Sequence, residues 1–300
     1  MDDKEASLHF QQGFMYLQNQ CAHDAALCFT QALAASPGLW QAQLNRGNAL
    51  MMAGRYEIAI RDFEAVLAVE QSALALMNKG LCLHQLGRSE EALKIIESAT
   101  ALADNNSLLV IIISAKAEVL SDIGQLALAL SAYHQAIAIK DDSPTLYSFR
   151  GQLYYRLEQF REAIEDITKA VDLSAAFEPD LYYRAHSLWK LKRLKEALED
   201  FNIVIECEPD EWTNYLSRGR LLDEMGLPDA AMTDLNKSIR LNPECAQAYF
   251  HRAFLHALKD DDRSREKSAI DLEKAFTIDP TIRTWYQSHQ SQPPQQSQQS

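Results

Sequence analysis

The chain has 300 residues, 47% of them hydrophobic and 24% charged, with a formal net charge of −13 at pH 7 and a pI near 5.1. Phosphate-backbone binding relies on a clustered basic surface, so nucleic acid is not expected as a partner. The most apolar run, Leu108 to Ile113, is six residues long against the roughly 20 that cross a bilayer, so no membrane insertion is expected.

The N-terminus, Met1-Asp2-Asp3-Lys4-Glu5, lacks a basic stretch followed by an apolar core. No secretion signal is expected there, which points to a cytoplasmic location. From residue 6 the chain divides into eight segments of about 34 residues: 6–39, 40–73, 73–106, 110–143, 144–177, 178–211, 212–245 and 246–282. Glycine marks them. Gly13, Gly47, Gly80, Gly151 and Gly219 stand at position 8 of their segments, and Gly54, Gly87, Gly124 and Gly226 at position 15. Position 20 is alanine from Ala25 to Ala231, position 24 is large (Phe29, Phe63, Ile96, Tyr133, Ile167, Phe201, Leu235, Leu272), and Pro37, Pro209, Pro243 and Pro280 recur at position 32. Small residues at fixed intervals mark close approaches between paired helices. A glycine at position 15 ends a first helix in the left-handed conformation, and the proline stops a second. Two antiparallel helices per segment follow, neither able to bury its apolar stripe alone, so neighbours must stack.

Two irregularities interrupt the period. Ser107 to Leu109 are extra before the fourth segment, and three further residues fall in the turn 260–264 of the eighth. The run Leu108 to Ile113 reads as the first helix of the fourth segment, capped by Asn106 or Ser107 and lengthened by the insertion. The alternative is a sticky patch for partner binding or self-association. A second regularity lies in the charges. Position 7 is Arg46, Arg150, Arg184, Arg218 and Arg252 in five segments, and those same five carry Asp62, Asp166, Asp200, Asp234 and Asp271 at position 23. Such co-occurrence predicts bidentate guanidinium–carboxylate bonds pinning the two helices of a segment. The offset is 16 residues in four segments and 19 in the last, as the insertion requires.

Chemistry has no visible seat. Cys21, Cys28, Cys82, Cys207 and Cys245 show no zinc-ligand spacing, and the nearest histidines, His251 and His256, are five residues apart, which does not stack on one helix face. No GxSxG elbow, phosphate loop or HExxH occurs, so neither cofactor, metal nor catalysis is expected.

Together these positions resemble the tetratricopeptide repeat over residues 6–282. The resemblance implies an all-α, right-handed α-α superhelical solenoid of eight repeats that binds a peptide or partner protein in a concave groove without catalysis. The alternative is a regulatory or substrate-recruiting subunit of a separately encoded enzyme. In this family the groove is lined by positions 2, 5, 9, 12 and 13 of the first helices. Carried over, repeats 1 to 3 offer an apolar surface (Phe10, Phe14, Leu44, Asn48, Met51, Met52, Met77, Leu81, His84), repeats 5 and 6 an aromatic and basic one (Gln152, Tyr155, Arg156, Tyr182, His186, Trp189, Lys190), and repeat 7 adds Arg220, Asp223 and Glu224. Aromatic and arginine side chains dominate interface energies, so the expected partner-binding residues are Tyr155, Arg156, Tyr182, His186, Trp189, Lys190 and Arg220, with an acidic segment as partner. The carboxylate clamp of the family's chaperone-adaptor branch is not expected. At its positions stand Phe10 and Phe14, then Asn45, then Leu74 and Asn78, of which only Asn45 matches. Residues 283–286 read as a capping segment and 287–300, rich in Gln, Ser and Pro, as a disordered tail.

Overall fold

The computed structural model describes residues 2–174, 178–259 and 261–290. Every regular element among them is an α-helix, and two compact units emerge, Met1–Leu157 and Glu158–Ser300. In the first unit α1 (Asp2–Gln18) pairs with α2 (Ala22–Ala35), α3 (Trp40–Met52) with α4 (Tyr56–Leu67), α5 (Ala73–Gln85) with α6 (Ser89–Thr100) and α7 (Asn106–Asp122) with α8 (Leu126–Ile139), followed by α9 (Pro144–Arg156). The second holds α10 (Phe160–Leu173), then the pairs α11 (Glu178–Lys190) with α12 (Leu194–Cys207), α13 (Trp212–Glu224) with α14 (Pro228–Leu241) and α15 (Ala246–Ala257) with α16 (Asp262–Ile278), and finally α17 (Pro280–Gln290).

The turn between paired helices needs one left-handed residue. Gly54, Gly87, Gly124 and Gly226 supply it with φ between 71° and 78°, and where position 15 is not glycine, Gln20, Glu158 and Lys192 adopt the same conformation at φ 58°, 57° and 60°. The backbone path therefore outweighs residue preference. Position 8 meets position 24 in repeats 1, 2, 3 and 7. A Cβ added to Gly47 would lie 2.7 Å from the Phe63 ring, and one on Gly80 2.5 Å from Ile96 Cγ1. Positions 20, 24 and 27 form the core: Ala25, Phe29 and Ala32 in repeat 1, and Ala197, Phe201 and Val204 in repeat 6, are all fully or almost fully buried.

Position 7 does more than hold one repeat together. Arg46, Arg184, Arg218 and Arg252 each donate Nε and Nη2 to both oxygens of Asp62, Asp200, Asp234 and Asp271. Each also sends Nη1 back to position 25 of the preceding repeat: Thr30, Thr168, Asn202 and Asn236, at 3.5, 3.2, 2.8 and 2.7 Å. In repeats 3 and 4, where position 7 is lysine, Lys79 and Lys116 reach the carboxylates of Glu64 and Glu97 at the same position 25. Arg150 belongs to the first unit and Asp166 to the second.

Three expectations are corrected. Helix α7 is capped by Asn105, whose Oδ1 accepts from Leu108 N at 2.8 Å, one residue earlier than the expected Asn106, because only Asn105 keeps the extended backbone a cap requires. The insertion of repeat 8 lengthens helix α16 to 17 residues from the usual 12 to 14, while α16 still begins sixteen residues after α15, as in the neighbouring repeats; Asp260 itself lies outside the described residues. Helix α17 continues to Gln290, four residues into the segment expected to be disordered. It does so because Tyr286 packs its ring against Phe250, Phe254 and Phe276. Residues 291–300 lie outside the described residues.

Candidate partner-binding face

On the first helices, positions 5, 9 and 12 fall on one side at helical spacing. In the second unit this brings four of the expected residues together. The Tyr182 and His186 rings lie 4.4 Å apart, and His186 and Trp189 5.7 Å apart. The Arg220 guanidinium sits over the Trp189 ring at 5.3 Å, a cation–π contact. Trp189 donates Nε1 to Glu224 at 2.7 Å, and the second oxygen of Glu224 accepts from Lys192 at 2.6 Å. Lys190 is exposed beside the group.

Charge on this face differs from expectation. Burial, aided by the charges of Arg220 and Lys190, lowers His186 to about 4. Near neutral pH it is therefore an uncharged ring that faces Ser217 Oγ at 3.2 Å, so the basic character rests on Lys190 and Arg220. The other two expected residues, Tyr155 and Arg156, lie on α9 in the first unit. Arg156 spends its guanidinium on helix α7, with Nη1 donating to Ser121 Oγ and Nη2 to Ser121 O at 3.1 Å.

The apolar zone of the first unit is partly absorbed into the core. Met77 is buried, Asn48 accepts from Asn78 Nδ2 at 2.7 Å, and His84 joins Ser89 to Asp122, while Phe14 and Met52 remain exposed. A groove of about 410 Å³ follows, lined by Met77, Leu81, Ile111, Ser114, Glu118 and Phe149. The run Leu108 to Ile113 is thus a helix whose Val110, Ile112 and Ile113 are core, with Ile111 open at 51% exposure. Sequence reasoning did not single out Ile111, although it occupies position 2 of its repeat, whereas Glu224, at position 13, was named with Arg220 and Asp223. Among the described residues no helix is long and apolar enough to cross a membrane.

Comparison with known proteins agrees with the repeat architecture. The tetratricopeptide repeat pattern matches residues 16–57, 44–107 and 150–211, and a second form of it matches 213–245. DnaJ homolog subfamily C member 7 of Mus musculus is 27% identical over 291 residues, covering 88% of this chain and 58% of its own. The chain thus spans somewhat over half the length of that relative. Serine/threonine-protein phosphatase T of Aspergillus oryzae is 29% identical over 171 residues, covering 49% of this chain and 35% of its own. Among solved structures, a tetratricopeptide repeat protein from Parabacteroides merdae superposes with TM-score 0.59 at 21% identity, covering 82% of this chain and 96% of that one.

Proposed function

Because the chain belongs to the tetratricopeptide repeat family, we propose that it is a non-catalytic, cytoplasmic interaction scaffold that holds a segment of a partner protein on the inner face of its second unit. The observation that carries this reading is the line of aromatic rings from Tyr182 through His186 to Trp189, crossed by Arg220. Rings of this kind lose little conformational freedom on binding and anchor segments well. Lys190 gives the same face an exposed cation at its rim. Tyr155 and Arg156 remain part of the proposal as residues of the first unit.

The test is affinity capture with the full chain, followed by titration calorimetry of the captured partner. A Trp189→Ala, Lys190→Ala double variant should bind at least about tenfold more weakly, a hot-spot loss near 2 kcal/mol, with an unchanged helical circular dichroism spectrum. Equal affinity would end the reading. A role as recruiting subunit for a separate enzyme is favoured by the match to part of a protein named as a phosphatase. Enzymatic activity in the captured complex would support it.

A further inference from the structure

A second surface lies wholly within the first unit. On helix α7, positions 2, 5 and 9 of repeat 4 are Ile111, Ser114 and Glu118, which fall on one side at helical spacing. They line the groove of about 410 Å³ together with Met77 and Leu81 of α5 and Phe149 of α9. The lining is mostly apolar, and Ile111 stays half exposed within it. An open aliphatic side chain in a concave, apolar lining is a contact waiting for a partner group.

The charges of the groove say what that partner carries. Glu118 and Lys140 are its two charged lining residues, and they form no ion pair with each other. The turn 123–125 sends α8 back along α7, so Lys140, just past the end of α8, lies near the start of α7, while Glu118 lies in the fourth turn. Glu64 and Glu97 each hold a lysine of the next repeat. Glu118 has no such cation among the described residues. Burial, aided by the like charge of Asp122 one turn on, raises its carboxyl above the ordinary value, and Asp122 is itself engaged by His84 Nε2 at 3.0 Å. A carboxylate crowded by apolar groups and a like charge is relieved by an arriving cation.

We propose that this groove docks a partner segment in which an aliphatic side chain covers Ile111 and a lysine or arginine meets Glu118. The surface is additional to the aromatic face of the second unit and opposite to it in charge preference. Ile111 and Glu118 are seven residues apart, about 10 Å along the helix axis, which an extended segment spans in about three residues. Lys140 at the other end opposes a uniformly basic segment, so the groove favours one cation, placed at the Glu118 end. The carboxylates of Glu118 and Asp122 likewise oppose a phosphate-bearing ligand.

The experiment uses the full chain with ¹³C-labelled isoleucine methyl groups, the Ile111 signal being assigned with Ile111→Val. The probes are four acetylated, amidated peptides: Leu-Ser-Ser-Lys, Leu-Ser-Ser-Gln, Leu-Ser-Ser-Glu and Ser-Ser-Ser-Lys. Leu-Ser-Ser-Lys should move the Ile111 signal saturably and bind at least about threefold more tightly than each of the others, the scale of one solvent-accessible ion pair. Glu118→Gln should lower it to the level of Leu-Ser-Ser-Gln, with an unchanged helical circular dichroism spectrum. Equal binding of the lysine and glutamine peptides, tightest binding of the glutamate peptide, a lysine preference that survives Glu118→Gln, or no movement of the Ile111 signal with any peptide would overturn the proposal. These peptides report on the first unit and the Trp189→Ala, Lys190→Ala variant on the second, so either reading can fail without the other.

Discussion

Arg252 donates Nη1 to Asn236 at 2.7 Å, although Asn236 belongs to the second helix of the repeat before. The same guanidinium grips Asp271 of its own repeat with two bonds of 2.7 Å. One side chain thus satisfies two interfaces, within a repeat and between repeats. Hydrogen bonds to charged groups are worth about 1.5 to 3 kcal/mol, less where water competes. Asn236→Ala should therefore cost about 1 kcal/mol. Asp200→Ala, which leaves Arg184 half-buried without its carboxylate, should cost roughly 1 to 3 kcal/mol. Urea unfolding of the two variants checks the order, and an Asp200→Ala curve that overlays the parent would show the pairing to be energetically idle.

Gln20 holds φ at 58°, a conformation that costs a non-glycine residue on the order of 1 kcal/mol. Gln20→Gly should raise stability by up to that amount, since four other repeats use glycine at the same place. Thermal unfolding by circular dichroism measures it; a drop in melting temperature would mean that the Gln20 side chain contributes more than its backbone costs.

Gly80→Ala should destabilise more than Gly219→Ala. The new Cβ would stand 2.5 Å from Ile96 Cγ1 and 3.1 Å from the Ala92 carbonyl, whereas at Gly219 the nearest atom, Leu235 Cγ, is 3.2 Å away. Overpacking of the first kind costs about 1 to 3 kcal/mol. Parallel denaturant titrations of the two variants compare them directly, and equal midpoints would refute the ranking.

Stability should fall in mild acid. His186 and His251 are both held near 4 by burial and by the charge of Arg220, while in the unfolded chain they protonate near 6.5. Between these values the unfolded state binds protons that the folded state refuses, so folding weakens as pH drops from about 6.5 towards 4, by on the order of 2 kcal/mol per ring at pH 5. A His186→Gln, His251→Gln variant should show a smaller difference between melting curves at pH 7.5 and pH 5 than the parent.

The helices and their pairing were legible because the small residues at positions 8 and 20 are forced by close packing, and the glycines at position 15 by a left-handed turn, and each leaves a mark wherever it occurs. The Arg–Asp bonds were legible for a similar reason, since each partner is useless without the other. Position 25 escaped notice because threonine, asparagine and glutamate can all accept from position 7, so no single residue type recurs. Left-handed turns were visible at Gly54 but not at Gln20 or Lys192, where the chain tolerates strain instead of selecting glycine. At the candidate face, the groove positions implied by the family resemblance gathered Tyr182, His186, Trp189 and Arg220. The resemblance could not foresee that His186 would be neutral or that Glu224 would be held by Trp189 and Lys192, because both depend on which groups approach from the next repeat.

The contacts of position 7 also bear on how the chain comes apart. In a stack with only nearest-neighbour contacts, cooperativity is carried by the seams. At the seams entering repeats 2, 6, 7 and 8 the connection is a hydrogen bond from an arginine already anchored to a buried aspartate. Entering repeats 3 and 4 it is a lone lysine on a glutamate that is more than half exposed, and added salt screens such a pair. High ionic strength thus loosens the first unit at those two seams before it touches the arginine-bound ones, and amide exchange in α5 and α7 would be the first to quicken.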